Sequence, residues 1–151
     1  MYGAILGDMI GSPYEFDMGD KTKEFPLFSS HSQFTDDTVM TLAVAEGFMN
    51  ALEQDNNADD NLIKECIITS MKKYGHRYPD AGFGARFGMW LLIDNPAAYN
   101  SLGNGSAMRV SAVAWLFNDL ESVRRMARLS AEVTHNHPEG IKGAEATAAA
   151  I

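Results

Sequence analysis

The sequence contains a single cysteine, Cys66, among its 151 residues. One thiol excludes an internal disulfide and leaves no cysteine cluster for zinc or iron–sulfur chemistry, so we expect a reducing, cytoplasmic setting. No apolar run approaches the roughly 20 residues that a membrane-spanning helix needs. The apolar N-terminal segment has no preceding basic residues and is interrupted by Asp8, which excludes a secretory signal. We therefore expect no membrane partner.

Basic side chains are also scarce, with 12 Lys and Arg against 20 Asp and Glu, which gives a net charge of −8. No run of Lys and Arg offsets this charge. Because such a chain is repelled by nucleic-acid phosphates, we expect no nucleic-acid partner. A phosphate-bearing ligand would need a metal ion or helix N-termini for its binding. The hydrophobic content of 46% is typical of a globular protein, and the length indicates one domain over residues 1–151.

Strict alternation of polar and apolar residues is absent as well. Apolar residues instead recur every three or four positions, which predicts an all-α fold of six or seven helices. The first helix is predicted to be buried, because small residues separate its apolar ones, and Gly75 is predicted to close the third helix. Residues 12–34 are predicted to form a long loop of the kind that often carries function. The predicted helices cover residues 2–10, 38–52, 62–74, 83–93, 106–117, 120–133 and 140–151.

Two carboxylates and two hydroxyls follow one another at the start of the second predicted helix, in the order Thr35, Asp36, Asp37 and Thr38. Adjacent residues inside a helix diverge by about 100°, so both carboxylates can face one ion only if Asp36 lies in the preceding loop and Asp37 in the first turn, which is the placement that we expect here. Oxygen-only ligands of this kind suit magnesium, manganese or calcium rather than zinc. Asp and Thr are also common N-caps, so a metal site and plain helix capping both stay open.

Asp8 and Glu15 add two further carboxylates within the first 37 residues. Either could be a structural carboxylate that caps backbone groups. Together with Asp36 and Asp37 they would make a cluster of four negative charges, which is costly unless a cation balances it.

A glycine-bearing loop at residues 101–106 leads into the fifth predicted helix, and this segment is called the glycine loop below. Such a loop can offer backbone N–H groups to a phosphate, or it can be a tight structural turn. His135 near the end of the sixth predicted helix allows two interpretations as well. Its imidazole could donate to a ligand, or it could interact favourably with the helix dipole.

Four segments, in this order along the chain, resemble the ADP-ribosylglycohydrolase family, which includes the dinitrogenase-reductase-activating glycohydrolases. The first is GAILGDMIGSPYE at residues 3–15, and the second is FTDDT at residues 34–38. The third is GNGSAMR at residues 103–109, and the fourth is Thr134-His135 followed by Pro138-Glu139-Gly140. The resemblance covers nearly the whole chain, and four motifs in order are far more specific than any one of them.

The resemblance implies an all-α fold with a binuclear magnesium or manganese site. The implied reaction removes ADP-ribose from a modified protein side chain, or hydrolyses a related linkage in an ADP-ribose-containing small molecule. By motif position, Thr35, Asp36 and Asp37 would be metal ligands, and Glu15 and Asp36 would be the catalytic residues. The implied substrate-binding residues are Gly103, Asn104, Gly105, Ser106 and His135.

Members of this family carry a second metal-binding segment, an Asp-x-Asp-Thr pattern far downstream, and this sequence has no Asp after Asp119. We therefore expect the N-terminal part of such a domain, with half of the metal site and with apolar surface through which the chain could self-associate. Two other function classes stay open. One is a catalytically inactive ADP-ribose-binding or structural relative. The other is an unrelated all-α, metal-dependent nucleotide phosphohydrolase, whose product would be phosphate or a nucleoside monophosphate.

Overall fold

The computed structural model describes residues 1–15 and 22–151, and this part of the chain is helical, with no strand. The predicted all-α fold is confirmed. Short 3₁₀ turns lie at Ser12–Tyr14, Asn104–Ser106 and Val110–Ala112. The α-helices are α1 (Tyr2–Gly11), α2 (Asp36–Gln54), α3 (Asp60–Arg77), α4 (Ala85–Leu92), α5 (Val113–Leu116), α6 (Leu120–Glu132) and α7 (Pro138–Ala150). Of the predicted long loop, residues 16–21 lie outside the described residues. No described helix has the length and apolar character that crossing a membrane requires.

The core is built around α2, whose apolar face packs on α3 and on the short turns that precede α5. Phe48 of α2, Ile67 of α3 and Trp90 of α4 are among its largest buried side chains. The backbones of α2 and α3 approach closely, because a Cβ on Gly47 would lie 2.6 Å from the Cα of Ile67. Only glycine fits there. The N-terminus of α2 is therefore attached to a well-packed helix.

Gly75 does not close α3, as the sequence pattern predicted. The helix continues to Arg77, and Gly75 is buried inside it. A Cβ on Gly75 would lie 2.6 Å from the methyl groups of Leu91, so the glycine makes room for α4 rather than ending α3. A glycine is required at position 75, but the reason is a packing constraint and not a backbone conformation that ends the helix.

The continuous helix predicted over residues 106–117 is also wrong. The chain forms two 3₁₀ turns there, and only Val113–Leu116 is α-helical. Arg109 lies between the two turns, and its guanidinium is buried against Ser130 and Thr134. Hydrogen bonds from this side chain connect the turns to the end of α6, and a local sequence pattern cannot indicate such a long-range contact.

The prediction that α1 is buried is contradicted as well. None of its residues is buried, and Tyr2 and Leu6 are 86% and 48% exposed. A Cβ on Gly3, Gly7 or Gly11 would meet no atom of the described residues within 4 Å, so these glycines are not at close helix contacts. The pattern indicated correctly that α1 is a helix with an apolar face. It could not indicate whether the described part of the chain covers that face.

Candidate functional site

The carboxylate of Asp8 in α1 holds the N-terminus of α2. Its oxygens accept hydrogen bonds from the backbone N–H groups of Thr35 and Thr38, at 2.8 and 3.2 Å, and from their hydroxyls, at 2.7 and 2.5 Å. The N–H groups of a first helical turn have no partners inside the helix, so a carboxylate placed there satisfies them and is favoured by the helix dipole. Asp8 is therefore a capping residue supplied from another helix.

Thr35 is the N-cap of α2, and its hydroxyl accepts from the N–H of Asp37 at 3.3 Å. With Thr35 and Asp8 in the capping roles, Asp36 and Asp37 are the first two residues of the helix itself. The expectation that Asp36 lies in the preceding loop is thus wrong. Its N–H instead donates to the carbonyl oxygen of Ala81 at 2.8 Å, which ties the helix start to the segment before α4.

The two carboxylates of Asp36 and Asp37 carry unfavourable charge. Burial, together with the neighbouring Asp37, Glu15 and Asp8, raises the pKa of Asp36 to about 7. Burial, with Asp8 and Glu15, also raises the pKa of Asp37. The four carboxylates singled out in the sequence therefore act on one another through space, as the predicted cluster requires.

Whether this cluster suits a metal ion follows from its donors. Carboxylate and hydroxyl oxygens with excess negative charge fit a hard dication such as Mg²⁺ or Mn²⁺. Yet no group of three or more Asp, Glu, His or Cys side chains within residues 1–15 and 22–151 converges closely enough to hold a metal ion. The donor atoms of Thr35, Asp36 and Asp37 are thus of the kind that a divalent cation prefers, but these residues do not by themselves surround an ion.

Asp36 faces two cavities. The first, called the acidic cavity, has a volume of about 460 Å³, and Glu15, Thr35 and Asp36 line it together with Asp80 and Arg77. Glu15 and Asp36, the two predicted catalytic residues, therefore share one space. Asp37 does not line this cavity, because adjacent residues at a helix start point in different directions.

The second cavity, called the loop cavity, has a volume of about 350 Å³, and Asp36 lines it as well. Four of the predicted substrate-binding residues line it, namely Gly103, Asn104, Gly105 and His135. Its wall also contains Arg86, Tyr99 and Arg109, which the sequence reasoning did not assign to the site. Arg109 lies within the third family motif, so the sequence contained a signal for its place in the site. Arg86 and Tyr99 lie outside all four segments, and the sequence contained no such signal for them.

The fifth predicted substrate-binding residue, Ser106, has a different environment. It is buried, and its hydroxyl donates to the carbonyl oxygen of Gly140 at 2.7 Å. A Cβ on Gly140 would in turn lie 2.7 Å from the carbonyl oxygen of Ser101. These contacts pack the glycine loop against the start of α7, so the side chain of Ser106 supports the loop and does not line the loop cavity.

His135 lies beneath the glycine loop and is 5% exposed. Burial and the nearby charges of Arg109 and Arg86 lower the pKa of His135 to about 4, so the imidazole is neutral at physiological pH. A neutral ring has no charge with which to interact with the dipole of α6. The structure therefore favours the other interpretation, in which His135 is a hydrogen-bonding group at the cavity wall.

Comparison with known proteins agrees with the motifs. The family model of the ADP-ribosylglycohydrolases matches residues 1–151, and the chain belongs to this family. ADP-ribosylhydrolase ARH3 of Mus musculus is 28% identical over 186 residues, covering 99% of this chain and 46% of that protein. For the ARH3 of Homo sapiens, the identity is 29% over 183 residues, covering 99% and 47% respectively.

A bacterial relative is similar to the same extent. The protein called uncharacterized protein YegU of Escherichia coli (strain K12) is 28% identical over 174 residues, which cover 100% of this chain and 51% of that protein. The chain thus spans about half the length of the curated relatives that it matches.

Proposed function

We propose that this chain takes part in the metal-dependent hydrolysis of an N- or O-glycosidic ADP-ribosyl bond, with release of ADP-ribose. One observation carries the proposal: Asp36 is the residue shared by the acidic cavity and the loop cavity. A ligand whose phosphates lie at the glycine loop would bring its terminal ribose to Asp36. The bond to be cut would then lie where a carboxylate and a cation are available, and the leaving group would extend into the acidic cavity.

Cleavage at the anomeric carbon of ribose passes through an oxocarbenium-like state, so the catalyst must orient the sugar and activate a water molecule. A divalent cation held by Thr35, Asp36 and Asp37, magnesium or manganese in our proposal, would supply positive charge and would acidify a water molecule. Glu15, which lines the acidic cavity beside Asp36, is the side chain placed to accept or return a proton. A binuclear site would need further ligands, which we propose come from polypeptide other than residues 1–15 and 22–151.

The diphosphate part of the ligand would lie in the loop cavity. Backbone N–H groups around Gly103, Asn104 and Gly105 suit the diphosphate, because main-chain N–H groups bind phosphate without the basic residues that this chain lacks. The neutral imidazole of His135 offers a further hydrogen bond. Two of the relatives above carry the name ADP-ribosylhydrolase, which supports an ADP-ribosylated protein or an ADP-ribose-containing small molecule as the partner.

The setting and assembly of the chain are part of the same proposal. The single cysteine, Cys66, is buried and has no disulfide partner in the sequence, which supports a reducing, cytoplasmic environment. The exposed apolar side chains of α1, among them Tyr2 and Leu6, support self-association or cover by another polypeptide segment.

A second candidate function is binding of ADP-ribose without turnover. It is favoured by the contrast between a formed loop cavity and the lack of any converged metal-binding group among the described residues. In that case the chain would hold ADP-ribose through the glycine loop and His135, and Asp36 would only border the ligand.

The test combines ADP-ribose binding with ADP-ribose release. The chain is titrated with ADP-ribose in a calorimeter, with and without Mg²⁺, and is then incubated with an ADP-ribosylated protein. Hydrolysis that requires Mg²⁺ and is lost in Asp36→Asn, but kept in the exposed control Asp94→Asn, supports the first function. Binding without any release supports the second. Formation of phosphate or a nucleoside monophosphate would contradict both and would indicate a phosphohydrolase.

A further inference from the structure

Thr134 is fully buried between two nitrogen-bearing side chains. Its Oγ1 lies 2.9 Å from Nη2 of Arg109 and 2.7 Å from Nδ1 of His135. The same Nη2 donates to the carbonyl oxygen of Ser130 at 2.8 Å, so the position of the guanidinium is set by the end of α6. The three side chains form a continuous hydrogen-bonded row, and the residues at its two ends, Arg109 and His135, both line the loop cavity.

The guanidinium determines the direction of the hydrogen bonds in this row. Arginine has donors only, so Thr134 Oγ1 accepts from Arg109. The hydroxyl has one proton of its own to donate, and within the described part of the chain the acceptor at hydrogen-bond distance is Nδ1 of His135. Because a neutral imidazole carries one ring proton, acceptance at Nδ1 requires that proton to be on Nε2.

We propose that Arg109 and Thr134 are positioning residues that hold neutral His135 as its Nε2–H tautomer, so that Nε2–H is available to an acceptor oxygen in the loop cavity. The identity of that oxygen, a phosphate oxygen of ADP-ribose, rests on the proposed function. The tautomer itself does not.

The opposite tautomer would leave the site in conflict. If Nδ1–H donated to Thr134, the threonine proton would have no acceptor in a fully buried position, which is unfavourable. Nε2 would also present a lone pair to the cavity, and a lone pair cannot bind a phosphate oxygen. In the ligand-free chain the unfavourable buried proton of Thr134 already favours Nε2–H, and we expect this tautomer in more than about 90% of molecules.

The surroundings of Nε2 fit this assignment. Among the described residues Nε2 has no hydrogen-bond partner, and the ring lies against the glycine loop, where a Cβ on Gly105 would be 2.9 Å from Nε2. No carboxylate of the described residues pairs with Arg109, whose unbalanced positive charge helps to keep the imidazole neutral. The result is a donor that does not depend on protonation of the ring near neutral pH.

The experiment reads the tautomer directly in the ligand-free chain. The chain is labelled with ¹⁵N-histidine, and long-range ¹H–¹⁵N correlation spectra are recorded at pH 7. The signals of His135 are identified by their loss in His135→Gln. We expect an unprotonated Nδ1 and a protonated Nε2 in the wild type and in Thr134→Ser, which keeps the hydroxyl. In Thr134→Val the preference should fall, with Nδ1–H populated at least several-fold more than in the wild type.

Binding of ADP-ribose is measured on the same variants, with Thr69→Val on the exposed face of α3 as a matched control. The dissociation constant should rise about tenfold in Thr134→Val, recover in Thr134→Ser and stay unchanged in Thr69→Val. A wild type that carries Nδ1–H would overturn the proposal, and this result does not depend on the folding of any variant. A Thr134→Val spectrum identical to that of the wild type would overturn it as well. The expected tautomers without any ADP-ribose binding would support the positioning role and refute the proposed function.

Discussion

Gly105 lies so close to the imidazole of His135 that a Cβ on residue 105 would be 2.9 Å from both Cε1 and Nε2. A separation under 3.0 Å is not tolerated by real Cβ atoms, and the neighbour that would have to move is a buried ring. The glycine of the third family motif is therefore needed for contact with the histidine of the fourth.

Gly105→Ala should displace His135 and weaken ADP-ribose binding. Overpacking of this kind typically costs about 1–3 kcal/mol, so we expect a dissociation constant about tenfold higher or more, together with a lower melting temperature. Gly88→Ala is the matched control, because a Cβ there meets nothing within 4 Å in helix α4. It should leave binding unchanged and stabilise the helix slightly. Equal binding by Gly105→Ala and the wild type would contradict the assigned role of the loop cavity.

Asp8→Asn should destabilise the protein, because the amide cannot accept all four hydrogen bonds that the carboxylate receives from Thr35 and Thr38. One of the two oxygens becomes a donor that faces other donors. Loss of a charged cap and of a partly buried acceptor predicts a decrease of about 1–3 kcal/mol in the free energy of unfolding. Urea denaturation measures it, with Asp94→Asn as an exposed control. A decrease no larger than that of the control would show that Asp8 does not hold α2.

The different roles of the carboxylates illustrate what could be predicted from the sequence. The resemblance identified the family, the helical pattern predicted the all-α class, and some of the motif residues line the two cavities that share Asp36. The sequence pattern could not indicate which carboxylate has which role, because the capping role of Asp8 and the place of Asp36 at the cavities depend on the angle between α1 and α2. Likewise, the role of Ser106 depends on contact with Gly140, a residue 34 positions away.

Because His135 stays neutral in the folded protein, the free energy of unfolding should depend on pH. The pKa of His135 falls from its ordinary value of 6.5 to about 4 in the folded protein, because burial and the charges of Arg109 and Arg86 oppose protonation. Tyr99 is the other titratable residue next to the ring. As pH falls from 6.5, the unfolded chain gains a proton that the folded chain resists. Stability is therefore lost between pH 6.5 and 4, by about 3 kcal/mol from this residue.

The raised pKa of Asp36 acts in the opposite direction over the same pH range, so the wild-type profile alone does not isolate the histidine. The measurement is the difference in unfolding free energy between the wild type and His135→Gln, taken at pH 4, 5, 6 and 7. Asp36 is present in both proteins and cancels. The wild type should lose stability relative to the variant as pH falls. A flat difference would mean that His135 titrates normally in the folded protein.

Asp36 should oppose folding when no cation is present and support it when one is. Its charge is partly buried beside Asp37, Glu15 and Asp8, so Asp36→Asn should raise the free energy of unfolding at pH 8 in a chelating buffer, by about 1–3 kcal/mol.

Binding of a dication to the folded state alone would stabilise the wild type by mass action, and loss of an anionic ligand would reduce that effect. Millimolar Mg²⁺ should therefore raise the melting temperature of the wild type and leave that of Asp36→Asn nearly unchanged. Ca²⁺ and Mn²⁺ are compared in parallel, and Asp94→Asn should respond as the wild type does. Equal Mg²⁺ responses of the wild type and Asp36→Asn would exclude Asp36 as a metal ligand in this chain, whereas a loss of ADP-ribose release with an intact Mg²⁺ response would assign Asp36 to the substrate instead.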